Sequence, residues 1–282
     1  MAAILAQNNY GKSQVRLVKV TRHDDRHDMM EVCVDTSLEG DFDDTHFTGD
    51  NAKVLPTDTQ KNTVYALARQ HTFDSIEAFG LIMGRHFVSS FPKLVTEARI
   101  NLTESLWRRV TTSKGPHPTT FECPGNEVRL AEVIVDYEGA SVAGGISDLL
   151  LMKTTDSEFW GYLVDKYTTL KETKDRICAT SVTAHWVYNS DEADFQKSYA
   201  AIRKAFVDTF AHHHSLSVQQ TLYAMGSAAL EAAPDIAEVR LSLPNRHCLL
   251  ANLEPFGLDN PNQIFISTTE PFGLIEATVA RE

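Results

Sequence analysis

Long apolar runs and targeting segments are absent from this chain. A membrane-spanning helix takes about 20 consecutive apolar residues, and no stretch approaches that length. Residues 1–7 have no basic segment ahead of their short apolar stretch, and the last residues form no Ser-Lys-Leu peroxisomal signal. We therefore expect a cytoplasmic protein that has no membrane partner.

Cysteine and cofactor-binding motifs are also scarce. The four cysteines lie far apart and form no C-x-x-C pair, so we expect buried thiols and neither a disulfide framework nor a structural zinc site. The chain has no H-E-x-x-H, G-x-G-x-x-G or Walker motif. The usual sequence support for flavin, nicotinamide and nucleotide-triphosphate enzymes is therefore missing.

Three consecutive histidines at residues 212–214 are the one pattern that suggests a metal. Consecutive helical residues point about 100° apart, so three in a row cannot face one ion unless the helix unwinds. We expect them to be exposed at the C-terminus of a helix, where the helix dipole favours a protonated ring. No metal site is predicted.

Positive charge is under-represented. The chain has 26 Lys and Arg against 38 Asp and Glu, which gives a net charge of −12. A nucleic-acid partner would require a basic stripe, so none is expected. The field of the whole chain would also repel an anionic substrate, and binding one would require a local cluster of Arg and Lys side chains.

Apolar periodicity divides the chain into two halves that share one order of elements. In the first half we predict two strands, two helices and two strands at residues 14–21, 29–42, 57–70, 74–89, 95–110 and 126–137. In the second half we predict two strands, two helices and three strands at residues 141–153, 180–188, 194–214, 217–232, 238–243, 247–253 and 263–267. This order indicates two α+β units with antiparallel sheets and helices on one face. Because such sheets leave unpaired edges, we expect oligomerisation to cover them.

The start of the first predicted helix has two interpretations. Thr57 and Gln60 have the spacing of a capping box, in which the hydroxyl accepts from the amide N–H and the amide side chain reaches back. The alternative is that the hydroxyl and Asp58 face an anion bound at the helix N-terminus. A second S-x-x-Q pattern, Ser217 with Gln220, predicts the start of the last helix in the same way.

Six short stretches, each a weak signal when taken singly, together resemble the urate oxidase (uricase) family. They match that family in order and spacing from about residue 8 to about residue 278. The stretches are Asn9-Tyr10-Gly11-Lys12, Thr57-Asp58-Thr59-Gln60-Lys61-Asn62-Thr63, Phe159-Trp160-Gly161, Asp165-Lys166-Tyr167-Thr168-Thr169-Leu170-Lys171-Glu172-Thr173 with Asp175-Arg176, Ser217-Val218-Gln219 and Leu243-Pro244-Asn245-Arg246-His247. The stretches Val-Thr-Arg and Asp-Asn-Pro-Asn, and the lack of a peroxisomal signal, resemble a bacterial member of the family. Two departures are Pro56 before the Thr-Asp pair and Cys248 after His247.

The resemblance implies an α+β tunnelling fold (T-fold). Each chain would hold two β-β-α-α-β-β units, at residues 8–137 and 138–282. Two chains would close a barrel, and two barrels would stack into a homotetramer with active sites at the subunit interfaces. Lys12, Thr57 and Asp58 of one chain would then face the remaining site residues of another.

The resemblance also implies the site residues and their roles. Lys12, Thr57 and His247 resemble the family's catalytic proton-relay triad. The substrate-binding residues would be Thr57, Asp58, Phe159, Leu170, Arg176, Val218, Gln219 and Asn245. Arg176 would donate two hydrogen bonds to one edge of the urate anion, and the Gln219 amide would bind the opposing edge. Phe159 would stack on the ring beside Leu170, and the N–H groups of Val218 and Asp58 would complete the contacts.

In this resemblance the reaction needs no cofactor, and O₂ is a co-substrate. Asn245 would hold O₂, or a water in its place, above the ring of urate. The urate dianion would transfer one electron to O₂. Lys12 would be the base, which requires burial and neighbouring cations, and Thr57 the relay. Two alternatives remain: a purine-binding protein of the same fold without oxidase activity, and a metal hydrolase that uses the histidine run.

Overall fold

The computed structural model describes residues 3–282. The strands and helices are β1 (Tyr10–Arg22), β2 (His27–Gly40), α1 (Asp43–Phe47), α2 (Thr57–Gln70), α3 (Ile76–Ser90), β3 (Val95–Ser105), β4 (Arg108–Thr112), β5 (Gly115–Glu122), β6 (Val128–Asp136), β7 (Ala140–Lys153), β8 (Cys178–Tyr188), α4 (Phe195–His212), α5 (Val218–Ala232), β9 (Ile236–Leu250) and β10 (Phe265–Ala280). The mixed α and β content and the antiparallel pairing of the strands confirm the coarse fold prediction.

The chain forms two compact units. Unit 1 extends to Gly145 and includes Val187–Lys197, and unit 2 consists of Ile146–Trp186 and Ser198–Glu282. Neighbouring strands follow the order β1-β2-β3-β6-β7 in unit 1 and β7-β8-β9-β10 in unit 2, since β7 contributes residues to both. Unit 2 has the predicted β-β-α-α-β-β order. Unit 1 has the same order with α1 and the β4–β5 hairpin added.

Alternating side chains place the core of unit 1 between its sheet and its helices. Val32, Val34 and Leu38 are buried at alternate positions of β2. Phe79 and Phe87 of α3 are also buried, and α3 packs against β3 and β6. Burying each of these phenylalanines contributes roughly 1.5–3 kcal/mol. This core holds β1, β2 and α2 in one arrangement.

The core of unit 2 is built in the same way. Trp186 of β8, Phe206 of α4, Met225 of α5 and Leu241 of β9 are buried. Helix α5 packs on β9 and β10, so its N-terminus is held at a defined position over that sheet. Within residues 3–282, no helix has the length and apolar character that crossing a membrane requires.

The β4–β5 hairpin was not predicted. The sequence pattern indicates one strand over residues 95–110 and then a loop, whereas the structure ends β3 at Ser105 and pairs β4 with β5. No residue of β4 or β5 is buried, so the pair lacks the apolar alternation by which a strand is found. Arg109 anchors the hairpin by donating to the His27 carbonyl at 2.5 Å and to Asp28 Oδ1 at 2.8 Å.

The last two strands are longer than predicted. The sequence indicates a turn at residues 244–246, but β9 continues through Pro244, which lies opposite Leu274 of β10. The irregularity is in β10 instead, where the register shifts between Thr268 and Gly273. Proline removes only one ladder hydrogen bond, so the surrounding pairing keeps β9 extended.

The four cysteines have free thiols but different surroundings. Cys178 is buried as predicted, whereas Cys33 and Cys248 are partly buried and Cys123 is exposed. The prediction is wrong for Cys123 because this residue follows the exposed β5, whose existence the sequence pattern did not reveal. Burial raises the pKa of the Cys178 thiol.

Candidate active site

Lys12 lies where β1 approaches β2 very closely. It is opposite Thr36, and the preceding Gly11 is opposite Ser37. A Cβ atom added to Gly11 would lie 1.6 Å from the carbonyl oxygen of Thr36, so only glycine permits this approach. Gly11 thus determines how closely β1 lies to β2 beside Lys12.

A β-bulge follows Lys12 directly. The register passes from Lys12 opposite Thr36 to Val15 opposite Val34, so β1 has one extra residue here. Gln14 adopts a left-handed backbone with φ 59°, and its N–H donates to Asp35 Oδ1 at 2.5 Å. Bulges re-aim neighbouring side chains, and this one sets the direction of the half-buried Lys12.

Helix α2 begins at Thr57, and the predicted Thr57–Gln60 capping box is wrong. The N-cap residue is Pro56, no side chain caps the helix, and the Gln60 N–H donates to the Pro56 carbonyl at 3.1 Å. Because Pro56 takes the cap position, Thr57 falls inside the first turn and its hydroxyl is not used by the helix. The N–H groups of Thr57 and Asp58 belong to that first turn, whose donors have no intrahelical acceptor.

The Asp58 carboxylate is bound by its own helix. Lys61 forms an ion pair with it, and Asn62 Nδ2 donates to it at 3.3 Å. The hydrogen bond from Lys61 lowers the pKa of Asp58, and the charge of Lys12 adds to this effect. Unit 1 therefore brings Lys12, Thr57 and Asp58 into one neighbourhood, with the carboxylate charge balanced.

In unit 2, a short extended segment at Ser157–Phe159 joins the other predicted residues. Phe159 exchanges backbone hydrogen bonds with Thr173 at 2.9 and 3.0 Å, and the Arg176 N–H donates to the Ser157 carbonyl at 2.9 Å. On its other side, the Glu158 N–H donates to the Ser215 carbonyl at 2.7 Å. The segment thus connects Phe159 to Arg176 and to the start of α5.

Arg176 is a cation with free hydrogen-bonding capacity. Its Cζ atom lies 5.2 Å from the centre of the Phe159 ring, and its buried Nε has no partner within residues 3–282. Burial lowers the pKa of Arg176. A guanidinium that is partly desolvated and incompletely bonded is a strong site for a planar anion, which it can bind with two parallel hydrogen bonds.

Tyr162 connects Phe159 with Leu170. Its ring stacks on the Phe159 ring with centroids 4.9 Å apart and planes 19° apart, and its hydroxyl donates to the Leu170 carbonyl at 2.7 Å. The Leu170 side chain is 62% exposed in the single chain. The loop therefore places Leu170 near the aromatic pair, with its side chain free to meet another molecule.

The N-terminus of α5 confirms the second predicted cap. Ser217 Oγ accepts from the Gln220 N–H at 3.1 Å, and Gln220 Oε1 accepts from the Leu216 N–H at 3.0 Å. Val218 and Gln219 are the first helical residues, the former buried and the latter exposed. Their N–H groups are in the first turn, where a helix binds anions.

Asn245 and His247 are on β9, opposite the irregular part of β10. Asn245 lies opposite Gly273 and His247 opposite Thr268. As alternate residues of one strand, both side chains point to the same face. Both are partly buried. The prediction of a turn at this stretch is therefore wrong, because Asn245 and His247 lie in a continuous strand.

The three histidines at the C-terminal end of α4 diverge, as the helical geometry requires. His212 Nδ1 is 2.8 Å from the Asp208 carbonyl of its own helix, whereas His214 Nε2 is 2.8 Å from Glu158 Oε1. Within residues 3–282, no three His, Cys, Asp or Glu side chains are grouped closely enough to hold a metal ion.

Several supporting residues were missed from the sequence. Tyr10 binds Leu55, Thr36 binds Lys12 and Gln60, and Ser215 accepts from Thr221 at 2.8 Å. Thr36 had a recognisable signal, because it is a polar residue in the apolar register of Val34 and Leu38. The predicted capping box places Gln60 at the helix start, whereas in the structure its side chain is buried and bonded to Thr36.

These features define a class of protein. It is an antiparallel α+β protein in which one unit offers a lysine beside a helix start, and the other offers an arginine over an aromatic ring beside a second helix start. Such groups suit a flat, anionic ring compound and the transfer of its proton.

Comparison with known proteins identifies the family. The uricase family model matches residues 8–134 and 142–276. The chain is 47% identical over 279 residues to the uricase of Arthrobacter globiformis, covering 99% of this chain and 90% of that protein. It is 38% identical over 282 residues to the uricase of Dictyostelium discoideum, covering 99% and 98%. The crystal structure of the Arthrobacter globiformis uricase matches with a TM-score of 0.94 at 46% identity, covering 100% of this chain and 96% of that one. The chain belongs to the uricase family.

Proposed function

We propose that this protein is a urate oxidase, which converts urate, O₂ and H₂O to 5-hydroxyisourate and H₂O₂. The observation that carries this function is Arg176, whose buried Nε has no partner in residues 3–282 and whose Cζ lies 5.2 Å from the Phe159 ring centre. Membership of the uricase family supports urate as the substrate and its oxidation as the reaction. It does not support a non-catalytic purine-binding protein.

Urate binding requires two edges of the ring and one face. Arg176 donates two hydrogen bonds to one edge, and the exposed Gln219 amide binds an N–H and a C=O at the opposing edge. Phe159 stacks on the ring, and Leu170 forms an apolar wall. Backbone N–H groups at the starts of α2 and α5, those of Asp58 and Val218, complete the contacts.

The complete site needs a second chain. We propose two T-fold units, at residues 8–137 and 138–282, in chains that form a homotetramer. In each site, Lys12, Thr57 and Asp58 of one chain face Phe159, Arg176 and the other residues of another. The edge strands support this assembly: Val18 and Val20 of β1 and Ile266 and Leu274 of β10 are large apolar side chains exposed in the single chain.

The chemistry follows from the state of the substrate. Urate is a monoanion at neutral pH, and removal of a second proton makes a dianion that can pass one electron to O₂. Recombination of the radical pair forms a hydroperoxide, which loses H₂O₂, and addition of water leaves 5-hydroxyisourate. Asn245 holds O₂, or the water in its place, near the ring. The protein supplies position, charge stabilisation and proton transfer.

Proton transfer is assigned to Lys12, Thr57 and His247. Lys12 is the base, and Thr57, whose hydroxyl does not cap α2, is the relay. His247 shares a strand face with Asn245 and completes the path on the side of O₂. The net charge of −12 is offset locally by Lys12 and Arg176, while Lys61 balances Asp58.

We further propose that the enzyme uses no cofactor or metal and works in the cytoplasm. The test is to measure urate disappearance, oxygen uptake and peroxide release on protein dialysed against a chelator. Full turnover after dialysis is the expected result. Urate binding without oxygen uptake would point to the binding protein, and activity that is lost on dialysis and restored by a metal would contradict the cofactor-free reaction.

A further inference from the structure

A buried hydroxyl joins Lys12 to the first turn of α2. The Lys12 N–H donates to Thr36 Oγ1 at 3.1 Å, and Thr36 Oγ1 donates to Gln60 Oε1 at 2.8 Å. Thr36 is 3% exposed and Gln60 is 0% exposed. We call these three residues the Thr36 bridge. It links β1, β2 and α2 through two buried side chains, those of Thr36 and Gln60.

The bridge is directional. A hydroxyl has one proton, and the Lys12 carbonyl, at 3.4 Å, is a poorer acceptor for it than Gln60 Oε1 at 2.8 Å. The Thr36 hydroxyl therefore accepts from β1 and donates to α2. Because the β-bulge begins directly after Lys12, the hydroxyl takes the Lys12 N–H at the point where regular pairing ends.

Gln60 contributes little to the core beyond this contact. Its Nε2 is buried and has no hydrogen-bond partner in the part of the chain described, residues 3–282. A buried donor without a partner costs stability, and an apolar side chain of similar size would avoid that cost. The stability of the core therefore does not account for a glutamine at this position, whereas the bond to Thr36 does.

A second contact joins the same two segments. The Tyr10 hydroxyl accepts from the Leu55 N–H at 2.8 Å, and the Tyr10 ring packs edge-on against Phe42 at 4.8 Å. Residues 10–12 of β1 are thus bound to residues 55–60 at two points. Two points of attachment determine both the distance and the angle between Lys12 and the start of α2.

We propose that Thr36 and Gln60 are positioning residues, which hold the base Lys12 at the correct distance from the relay Thr57. This inference rests on the proposed function, because it takes Lys12 and Thr57 as the proton-transfer pair. Neither Thr36 nor Gln60 touches the substrate in this assignment. Their effect is on the rate of proton transfer, for which small displacements of the reacting groups are costly.

The test compares variants that remove the bridge without changing its volume. Thr36→Val and Gln60→Met each remove one polar partner, and the double variant removes both. Thr36→Ser keeps the hydroxyl and serves as the conservative rescue. Thr180→Val is the matched control, since Thr180 is equally buried and its hydroxyl has no hydrogen-bond partner within residues 3–282.

Each single variant is expected to lower kcat about 10-fold while KM for urate changes less than about threefold, and Thr36→Ser and Thr180→Val are expected to keep wild-type kcat. The double variant is expected to recover part of the thermal stability, because the side chains at positions 36 and 60 no longer hold an unpaired polar group, but not kcat. Recovery of kcat together with stability would show that the bridge is only structural and would overturn the proposal.

A second measurement isolates the route of the effect. In a Lys12→Ala background, Thr36→Val is expected to change kcat by less than about twofold, because the group that it positions is gone. An equal 10-fold loss in both backgrounds would overturn the proposal. If the unmodified enzyme did not consume urate, the proposed function would fail before any variant was compared.

Discussion

The guanidinium of Arg176 lies over the ring of Phe159, with 5.2 Å between Cζ and the ring centre. Backbone hydrogen bonds fix this pair, since the Arg176 N–H donates to Ser157 and Phe159 exchanges bonds with Thr173. Contacts within the chain therefore hold the arrangement in place. Side chains that are held in this way lose less entropy when a ligand binds.

Replacement of Arg176 by lysine is expected to weaken urate binding. Lysine is a point charge and cannot donate the two parallel hydrogen bonds of a guanidinium. KM for urate should rise at least about 10-fold in Arg176→Lys, and further in Arg176→Ala. Arg85→Lys is the control, because Arg85 forms an ion pair with Asp191 at the surface. An unchanged KM in Arg176→Ala would remove Arg176 from the substrate site.

Loss of the proton-relay groups is expected to slow the chemistry more than binding. Lys12→Ala and Thr57→Val should each lower kcat roughly 100-fold while urate still binds, since general-base catalysis contributes about 10²–10⁴-fold. Stopped-flow turnover and equilibrium binding of urate measure the two effects separately. Lys114→Ala, in the exposed turn between β4 and β5, should behave as the parent enzyme. Near-normal turnover in both relay variants would contradict the assignment.

The Phe159 ring is expected to contribute more to urate binding than its neighbour. Phe159→Leu keeps apolar volume but removes the aromatic face, and KM should rise about 3- to 10-fold, in line with an aromatic contact of about 0.5–1.5 kcal/mol. Tyr162→Leu removes only the ring that stacks on Phe159 and should have a smaller effect. A larger effect at Tyr162 would mean that Tyr162, and not Phe159, meets the substrate.

Gly11→Ala is expected to damage both stability and turnover. The added Cβ would lie 1.6 Å from the Thr36 carbonyl oxygen, so β1 must move away from β2 at the residue before Lys12. Thermal unfolding and kcat should both fall. Gly125→Ala is the control, because a Cβ at Gly125 would meet no atom within 4 Å. Wild-type kcat in Gly11→Ala would show that the distance between β1 and β2 at Lys12 is not critical for turnover.

The stability of unit 1 is expected to fall as pH rises from about 4.5 to about 7, because of one buried carboxyl. Burial raises the pKa of Glu77 from 4.5 to about 7. The positive charge of Arg129, whose Nη2 is 2.8 Å from Glu77 Oε2, opposes this shift. Burial also raises the pKa of the neighbouring Glu104. Below pH 4.5 both folded and unfolded forms carry the proton of Glu77; above it the unfolded form ionises first, which favours unfolding until the folded form ionises near pH 7.

The measurement is the apparent thermal midpoint at a series of pH values for the parent and for Glu77→Gln. The variant cannot ionise at this position, so its midpoint should change less over that range. Glu138→Gln, at an exposed position next to β6, is the matched substitution and should keep the parental slope. Equal slopes in Glu77→Gln and the parent would show that another group controls this pH dependence.

Local sequence signals were sufficient for most elements of the fold. The bounds of α2 agree with the prediction, and Ser217 caps α5 as its spacing indicates. Helix α3 begins at Ile76 with Ser75 as its cap, two residues after the predicted start at residue 74. The strands that were missed or predicted too short share one cause: β4, β5 and most of β10 are exposed, so they lack the apolar alternation that identifies a strand. The site residues came from motif resemblance, and their local patterns alone were consistent with turns and solvated helices.

The sequence by itself determined the four long helices, the order of the main elements and the family, because capping, apolar periodicity and motif spacing are properties of neighbouring residues. Only the tertiary structure decided which residues support Lys12. Thr36 is 24 residues from both Lys12 and Gln60, and its bonds depend on the register of β1 against β2. A shift of one residue in that register would move Lys12 away from Thr36 and turn the Lys12 side chain to the other face, and no local pattern specifies the register.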